Sequence, residues 1–225
     1  MVAKRGYHHG DLRTALLSEA IEIILESGTA ALSLRWLARR VGVSPAAYAY
    51  HFPDKSSLLI AIGSEGFRRL NEAFEPAAAI EDPAARLVAL GRRYLDFAVE
   101  NSAHYRVMFF DHPTPKAGNR NEEHFLTVAT AAFEALRSTV AELMQQGSDN
   151  RNGWERALMM WAQIHGAVSL WLEGLLAPGA TEAQAIEQLR TLIDHAAQEQ
   201  AKLLQGAGIY LLRHFAAIAF PKEDI

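Results

Sequence analysis

The sequence predicts an all-α protein, with a small helix-turn-helix domain followed by a larger helical domain. Three observations carry that prediction. Apolar residues recur at i, i+3, i+4 and i+7 through most of the chain. Helix starts and stops stand where these periodic stretches begin and end: Ser33, Ser44-Pro45 and Asp82-Pro83 open them, and Gly28 and Gly42 close them. No stretch alternates apolar and polar residues as a half-buried strand would. At 225 residues, half of them apolar, the chain is long enough for one or two domains with a sizeable core.

Taken in order, Met1 to Gly10 carries Lys4, Arg5, His8 and His9 with no hydrophobic period. It reads either as a frayed terminus or as a basic arm for a DNA backbone or minor groove. It also lacks the apolar core of a signal peptide. Asp11 to Ser27 reads as an amphipathic helix with a stripe of Leu17, Ala20, Ile21, Ile24 and Leu25, and Gly28 as its C-cap. Its role is to pack behind the next two helices, which have too little apolar surface to stand alone.

Those two helices occupy Leu34 to Lys55. Leu34, Leu37, Ala38 and Val41 form one face of the first, which Ser33 caps and Gly42 ends. Ser44 caps the second, with Pro45 at its first position. Helix, Gly-containing turn and helix make a helix-turn-helix, whose second helix enters a major groove of DNA. The small Ala38 suits a close crossing, and the apolar body of Tyr48 falls on the inner face. Charge follows the same division. Residues 1–70 hold nine Lys or Arg against six Asp or Glu, and the remainder thirteen against twenty, within a net charge of −4. A basic first part on an acidic body fits one DNA-facing module rather than a protein that coats nucleic acid.

Residues 10–60 resemble the N-terminal domain of the TetR/AcrR family of bacterial transcriptional regulators. The carriers are Ser27-Gly28, Leu32-Ser33-Leu34-Arg35, the run Leu37 to Ser44, His51-Phe52-Pro53-Asp54-Lys55 and Leu58-Leu59. The resemblance implies roles for single residues. Arg35 takes a position that contacts DNA, where a guanidinium reads guanine or holds a phosphate. Ser44 and the first amides of the second helix suit a phosphate. Pro45 and Ala46 meet base edges with apolar contact only, Tyr50 points outward beside them, and His51 and Lys55 match backbone-contacting positions. Asp54 caps the fourth helix, which Lys55 opens. Ala49 replaces the phosphate-contacting tyrosine usual after Tyr48, so Tyr50 takes over that contact or the anchor is lost. Trp36 stands where many relatives place a carboxylate.

From Asp54 a helix runs to about Phe74, ending at Pro76. Asp82-Pro83 opens another, with Leu87, Leu90, Gly91, Tyr94, Leu95 and Ala98 inward. A short apolar segment, Tyr105 to Phe110, precedes a Pro- and Gly-containing loop over 111–120 that reads as a flap. Phe125, Val128, Ala129, Ala132, Phe133, Leu136 and Val140 mark a helix over 122–146. Trp154 to Leu176 is apolar nearly all round, which predicts burial on more than one side. Thr181 to Leu204 and Ile209 to Phe220 follow, broken at Gly206 and Gly208. We therefore expect a DNA-binding domain over 1–53 and a helical domain over 54–225.

The second half also resembles the Trp-His-Gly type of C-terminal domain of that family, through Trp161, His165, Gly166 and Tyr105 to Phe109. The resemblance implies a helical dimer that binds a small effector, its last two long helices pairing across a two-fold axis. Tyr94, Phe97, Tyr105, Met108, Phe109, Phe125, Trp161 and His165 are the candidate ligand residues, mostly apolar with a few polar tips. They fit a lipophilic or aromatic effector, and the same residue types also describe an ordinary core.

Catalysis finds no support, since no glycine-rich phosphate loop, GxSxG or HExxH occurs. No cofactor is expected. The spacing of His104, His112 and His124 matches no ligand pattern, so no metal site is expected either. With no cysteine and no apolar run long enough to span a bilayer, a soluble cytoplasmic protein is the default. The reading is a homodimeric DNA-binding transcriptional regulator, a repressor that a small-molecule effector releases from a palindromic operator on double-stranded DNA. The alternative is a helical ligand-binding or scaffold protein with a vestigial helix-turn-helix.

Overall fold

The computed structural model describes residues 9–111, 119–145, 151–176 and 179–219, without the side chains of 9–11, 151 and 206–219. The arm at residues 1–8 and most of the loop over 111–120, including His112, lie outside the described residues. Among those described, every regular element is helical. They form two compact units, Met1–Leu70 with Glu100–Thr130, and Asn71–Val99 with Ala131–Ile225.

The first unit begins with α1, His9–Ala31, bent at Gly28, whose φ of +76° and ψ of 167° a side chain would strain. Then come α2, Leu34–Val41, α3, Pro45–His51, and the first part of α4, Lys55–Ala78. After α5, Pro83–Glu100, the short α6, Ser102–Arg106, runs into a π-type turn, Val107–Asp111, followed by the start of α7, Arg120–Leu143. Leu16, Ala20, Ile23, Leu32, Leu37, Phe52, Leu58 and Ile62 form the core, joined by Ala103 and Val107. The α1 stripe is rotated from its expected position. Leu16 and Ile23 are fully buried, whereas Ile21 is half-buried and Leu25 is 55% exposed. A stripe on one helix side fits several rotations until the neighbouring helices choose one.

The second unit holds the end of α4, most of α5, the second half of α7, α8, Arg151–Leu172, and α9, Glu182–Ala219. Leu87, Val140, Leu143, Met160, Ala197 and Leu204 are central to its core. All six inward residues expected on α5 are buried, and Phe97 joins them. Asp82 caps α5 through the amides of Ala84 and Ala85, at 3.2 and 3.1 Å. Arg92 grips Asp194 with two hydrogen bonds of 2.7 and 2.6 Å, and Arg190 reaches Asp96 at 2.8 Å, so α5 and α9 are cross-linked twice.

Three element expectations need correction. α4 continues through Pro76 to Ala78, because a proline so near the end removes only one bond of the last turn. α9 runs unbroken across Gly206 and Gly208, since a helical glycine costs only about 1 kcal/mol against alanine. α8 is not enclosed on several sides within one chain: Met159 is 63% exposed, Trp154 48% and Leu170 47%.

Candidate nucleic-acid interface

The helix-turn-helix is built as its residues dictate. Ser33 Oγ accepts from the Trp36 amide at 3.2 Å, and Ser44 Oγ accepts from the Ala47 amide at 3.2 Å. Gly42 is left-handed (φ +78°, ψ 33°), and its N–H returns to the Ala38 and Arg39 carbonyls. Ala38 is buried at the crossing, and Tyr48 packs half-buried on the unit's core. No residue of α3 is fully buried. Ser44, Pro45, Ala46, Ala49 and Tyr50 form an exposed outer row, with Tyr50 81% exposed beside His51.

The cations of this region divide into two kinds. Arg40 is committed to the fold: it pairs with Glu19 and Glu26 of α1, lies over the Trp36 ring and holds the Glu26 carboxyl below its usual pKa. Arg35 and Arg39 are exposed and pair with no carboxylate among the described residues. The structure gives Lys55 an internal partner that sequence did not indicate. Its ammonium donates to the Thr29 carbonyl at 2.7 Å, and the Thr29 hydroxyl donates to Asp111 at 2.6 Å. Asp54 caps α4 by accepting from the Ser57 amide at 2.7 Å. Seven predicted contact residues, Arg35, Ser44, Pro45, Ala46, Tyr50, His51 and Lys55, thus lie on or beside α2, α3 and the start of α4.

The candidate ligand residues fall into two groups, one in each unit. In the second unit Tyr94 and Phe97 are buried, and Trp161 and His165 half-buried. The Tyr94 hydroxyl meets His165 Nδ1 at 2.8 Å, and burial lowers the His165 pKa. Trp161 lies 5.6 Å from His165 and 6.0 Å from Phe133 between ring centres. In the first unit Tyr105, Met108 and Phe125 are buried and Phe109 half-buried, with Phe67 meeting both Phe109 (5.5 Å) and Phe125 (5.4 Å) edge to face. Gly63 and Gly66 leave room for this group: a methyl at Gly63 would stand 2.7 Å from Phe125, and one at Gly66 would collide with Met108. The first-unit group is packed by its own side chains. Only the second-unit group presents a polar pair beside a half-buried indole. Phe67 and Phe133 were not among the sequence candidates, because an aromatic residue at helical spacing carries no sign of what it faces.

Two family profiles match the chain. One, described as bacterial regulatory proteins, tetR family, matches residues 16–62. The second, described as tetracyclin repressor-like, C-terminal domain, matches residues 87–196, and that description is coarser than the Trp-His-Gly type. None of the curated proteins matches this chain in sequence. A protein of unknown function from Rhodococcus sp. RHA1 is similar in structure (29% identity, 85% of this chain and 98% of the other, TM-score 0.65). So is PfmR, a TetR family transcriptional regulator from Thermus thermophilus (21%, 81% and 97%, TM-score 0.62). A third is AibR, solved in complex with isovaleryl coenzyme A and operator DNA (20%, 80% and 96%, TM-score 0.61). At the identities of the last two the likeness is one of fold.

Proposed function

For a chain that belongs to the TetR family of bacterial regulatory proteins, and is therefore a DNA-binding transcriptional regulator, we propose a homodimeric repressor that leaves a palindromic operator when a small molecule binds. The observation that carries the reading is the doubly capped α2–Gly42–α3 motif, whose second helix buries no residue completely and keeps an outer row open. Residues 1–53 act as the DNA-binding domain and 54–225 as the effector and dimerisation domain. Each α3 enters a major groove, and a two-fold axis sets the half-sites whole helical turns apart. Arg35, Ser44, Tyr50, His51 and Lys55 supply polar contacts, while Pro45 and Ala46 supply apolar contact with base edges. With so few reading side chains on α3, DNA shape carries much of the specificity.

The exposed Met159 and Leu170 of α8 and Leu192 and Leu203 of α9 support a dimer, because helices that bury one face in the monomer leave these for a second copy. A lipophilic or aromatic effector binds at Tyr94, Trp161 and His165, where the Tyr94–His165 pair offers a hydroxyl and an imidazole beside apolar walls. The fold shared with AibR, crystallised with an acyl coenzyme A and operator DNA, supports both halves of the mechanism. By linkage, DNA weakens effector binding by the factor with which effector weakens DNA binding.

Selection from a random duplex pool, with the winner titrated against salt, tests the reading. We expect a palindrome whose affinity falls steeply with salt, and a loss of about 1–3 kcal/mol on Arg35→Ala with an unchanged unfolding midpoint. No enrichment at low salt, with or without candidate effectors, would leave only the scaffold alternative.

A further inference from the structure

Three parts of the first unit meet at Thr29. It stands one residue beyond the bend of α1 at Gly28 and is buried. Its carbonyl accepts from the Leu32 amide at 3.2 Å, in the turn that leads to α2. The same carbonyl accepts from the Lys55 ammonium at 2.7 Å, on the first residue of α4. Its hydroxyl donates to Asp111 Oδ2 at 2.6 Å, on the last residue of the π-type turn, which Val107 anchors in the same core. Bonds to both its side chain and its backbone thus fix a residue that follows a non-helical glycine, where the chain has most freedom to turn.

The fold alone does not explain why position 111 is acidic. Asp111 is an exposed carboxylate two hydrogen bonds away from Lys55. Beside a group that neutralises phosphate, a negative charge opposes DNA binding. Its hold on Thr29 offsets that cost if the position of Lys55 depends on it.

We propose that Asp111 and Thr29 are positioning residues for DNA binding, which hold the Lys55 ammonium in place before DNA arrives. The proposal rests on the reading of Lys55 as a phosphate contact. A lysine side chain has many rotamers, and ordering it on binding weakens affinity. Held by Thr29 in the free protein, Lys55 is ordered on folding instead and keeps two donors for a phosphate. Without Asp111, Thr29 loses its side-chain bond at the bend and Lys55 loses a fixed partner.

Fluorescence anisotropy with the duplex selected from the random pool tests this, at one salt concentration and at a temperature where melting shows every variant folded. Asp111 is exposed, so Asp111→Ala leaves the core intact. The expected result is affinity about tenfold weaker for a dimer that orders two lysines on binding. That is opposite in sign to the gain from simply removing a negative charge. Asp111→Asn keeps an acceptor for the Thr29 hydroxyl and stays within about threefold of the parent. In a Lys55→Met background Asp111→Ala no longer weakens binding, because both residues act through one contact. A gain or no change in Asp111→Ala, an equal loss in Asp111→Asn, or a loss that persists without the Lys55 ammonium would each overturn the proposal and leave the phosphate contact standing. If Lys55→Met alone binds as the parent does at every salt concentration, the phosphate contact fails and the proposal with it.

Discussion

Lys55 is assigned two tasks, and one substitution separates them. Lys55→Met keeps the aliphatic stem and removes the ammonium. Inside the protein that ammonium holds the Thr29 carbonyl at 2.7 Å, just beyond the bend of α1 at Gly28. A charged donor on a carbonyl contributes about 1.5–3 kcal/mol when shielded, and for a half-buried lysine screening reduces this to about 1 kcal/mol. In a domain of this size that corresponds to a melting temperature lower by about 2–4 °C. On DNA the same group is proposed to neutralise a phosphate. A two-fold complex loses two such contacts, so the slope of log affinity against log salt falls by about 1.8. An ammonium has three donors, so it holds Thr29 and a phosphate together. Thermal melting reads the first task, and fluorescence anisotropy over a salt series reads the second. An unchanged melting temperature would refute the part assigned to the Thr29 bond. An unchanged salt slope would refute the phosphate contact, whatever the melt shows.

Three further outcomes are expected. Gly91→Ala places a methyl 2.8 Å from Ile193 Cγ2, on a stiff, buried, β-branched side chain, so it lowers the urea midpoint by about 1–2 kcal/mol equivalent despite the better helix propensity of alanine. The His104 pKa is lowered from 6.5 to about 4 on folding, so between those values the unfolded chain binds the extra proton and stability falls as pH falls. The contribution reaches about 1.4 kcal/mol per pH unit, and the difference between wild type and His104→Leu in urea unfolding across this window isolates it. Leu192→Glu puts a charge on an apolar position of α9 that is 50% exposed in the single chain. On the proposed dimer, light scattering finds a two-chain mass for the parent and a one-chain mass for this variant, and a one-chain mass for the parent would refute the dimer.

Much of the first unit was legible from sequence because its signals are local. Ser33, Gly42, Ser44, Pro45 and Asp54 each act within four residues of themselves, and the structure returns the expected caps at Ser33, Gly42, Ser44 and Asp54. Helical periodicity likewise located all six inward residues of α5. The interior of the candidate site was less legible, because its facts depend on separation in sequence. Nothing near Lys55 indicates that its partner is Thr29, 26 residues earlier, or that the Thr29 hydroxyl serves Asp111, 82 residues later. Nothing on α1 indicates that neighbouring helices bury Ile23 and leave Leu25 to water.

The same distinction governs the ligand candidates. As residue types, Tyr105, Met108 and Phe125 are indistinguishable from Tyr94 and Trp161, yet the first three are sealed in a core that Gly63 and Gly66 allow to close. His165 and His104 differ in a way only the fold reveals. One has the Tyr94 hydroxyl at 2.8 Å, and the other has no hydrogen-bond partner among the described residues. A half-buried imidazole already bonded to tyrosine must give up or share that bond to hold a ligand, so its net gain on binding is small. On that ground the effector proposed for the Tyr94–His165 region would owe its affinity to an apolar body that Trp161 and its neighbours can cover.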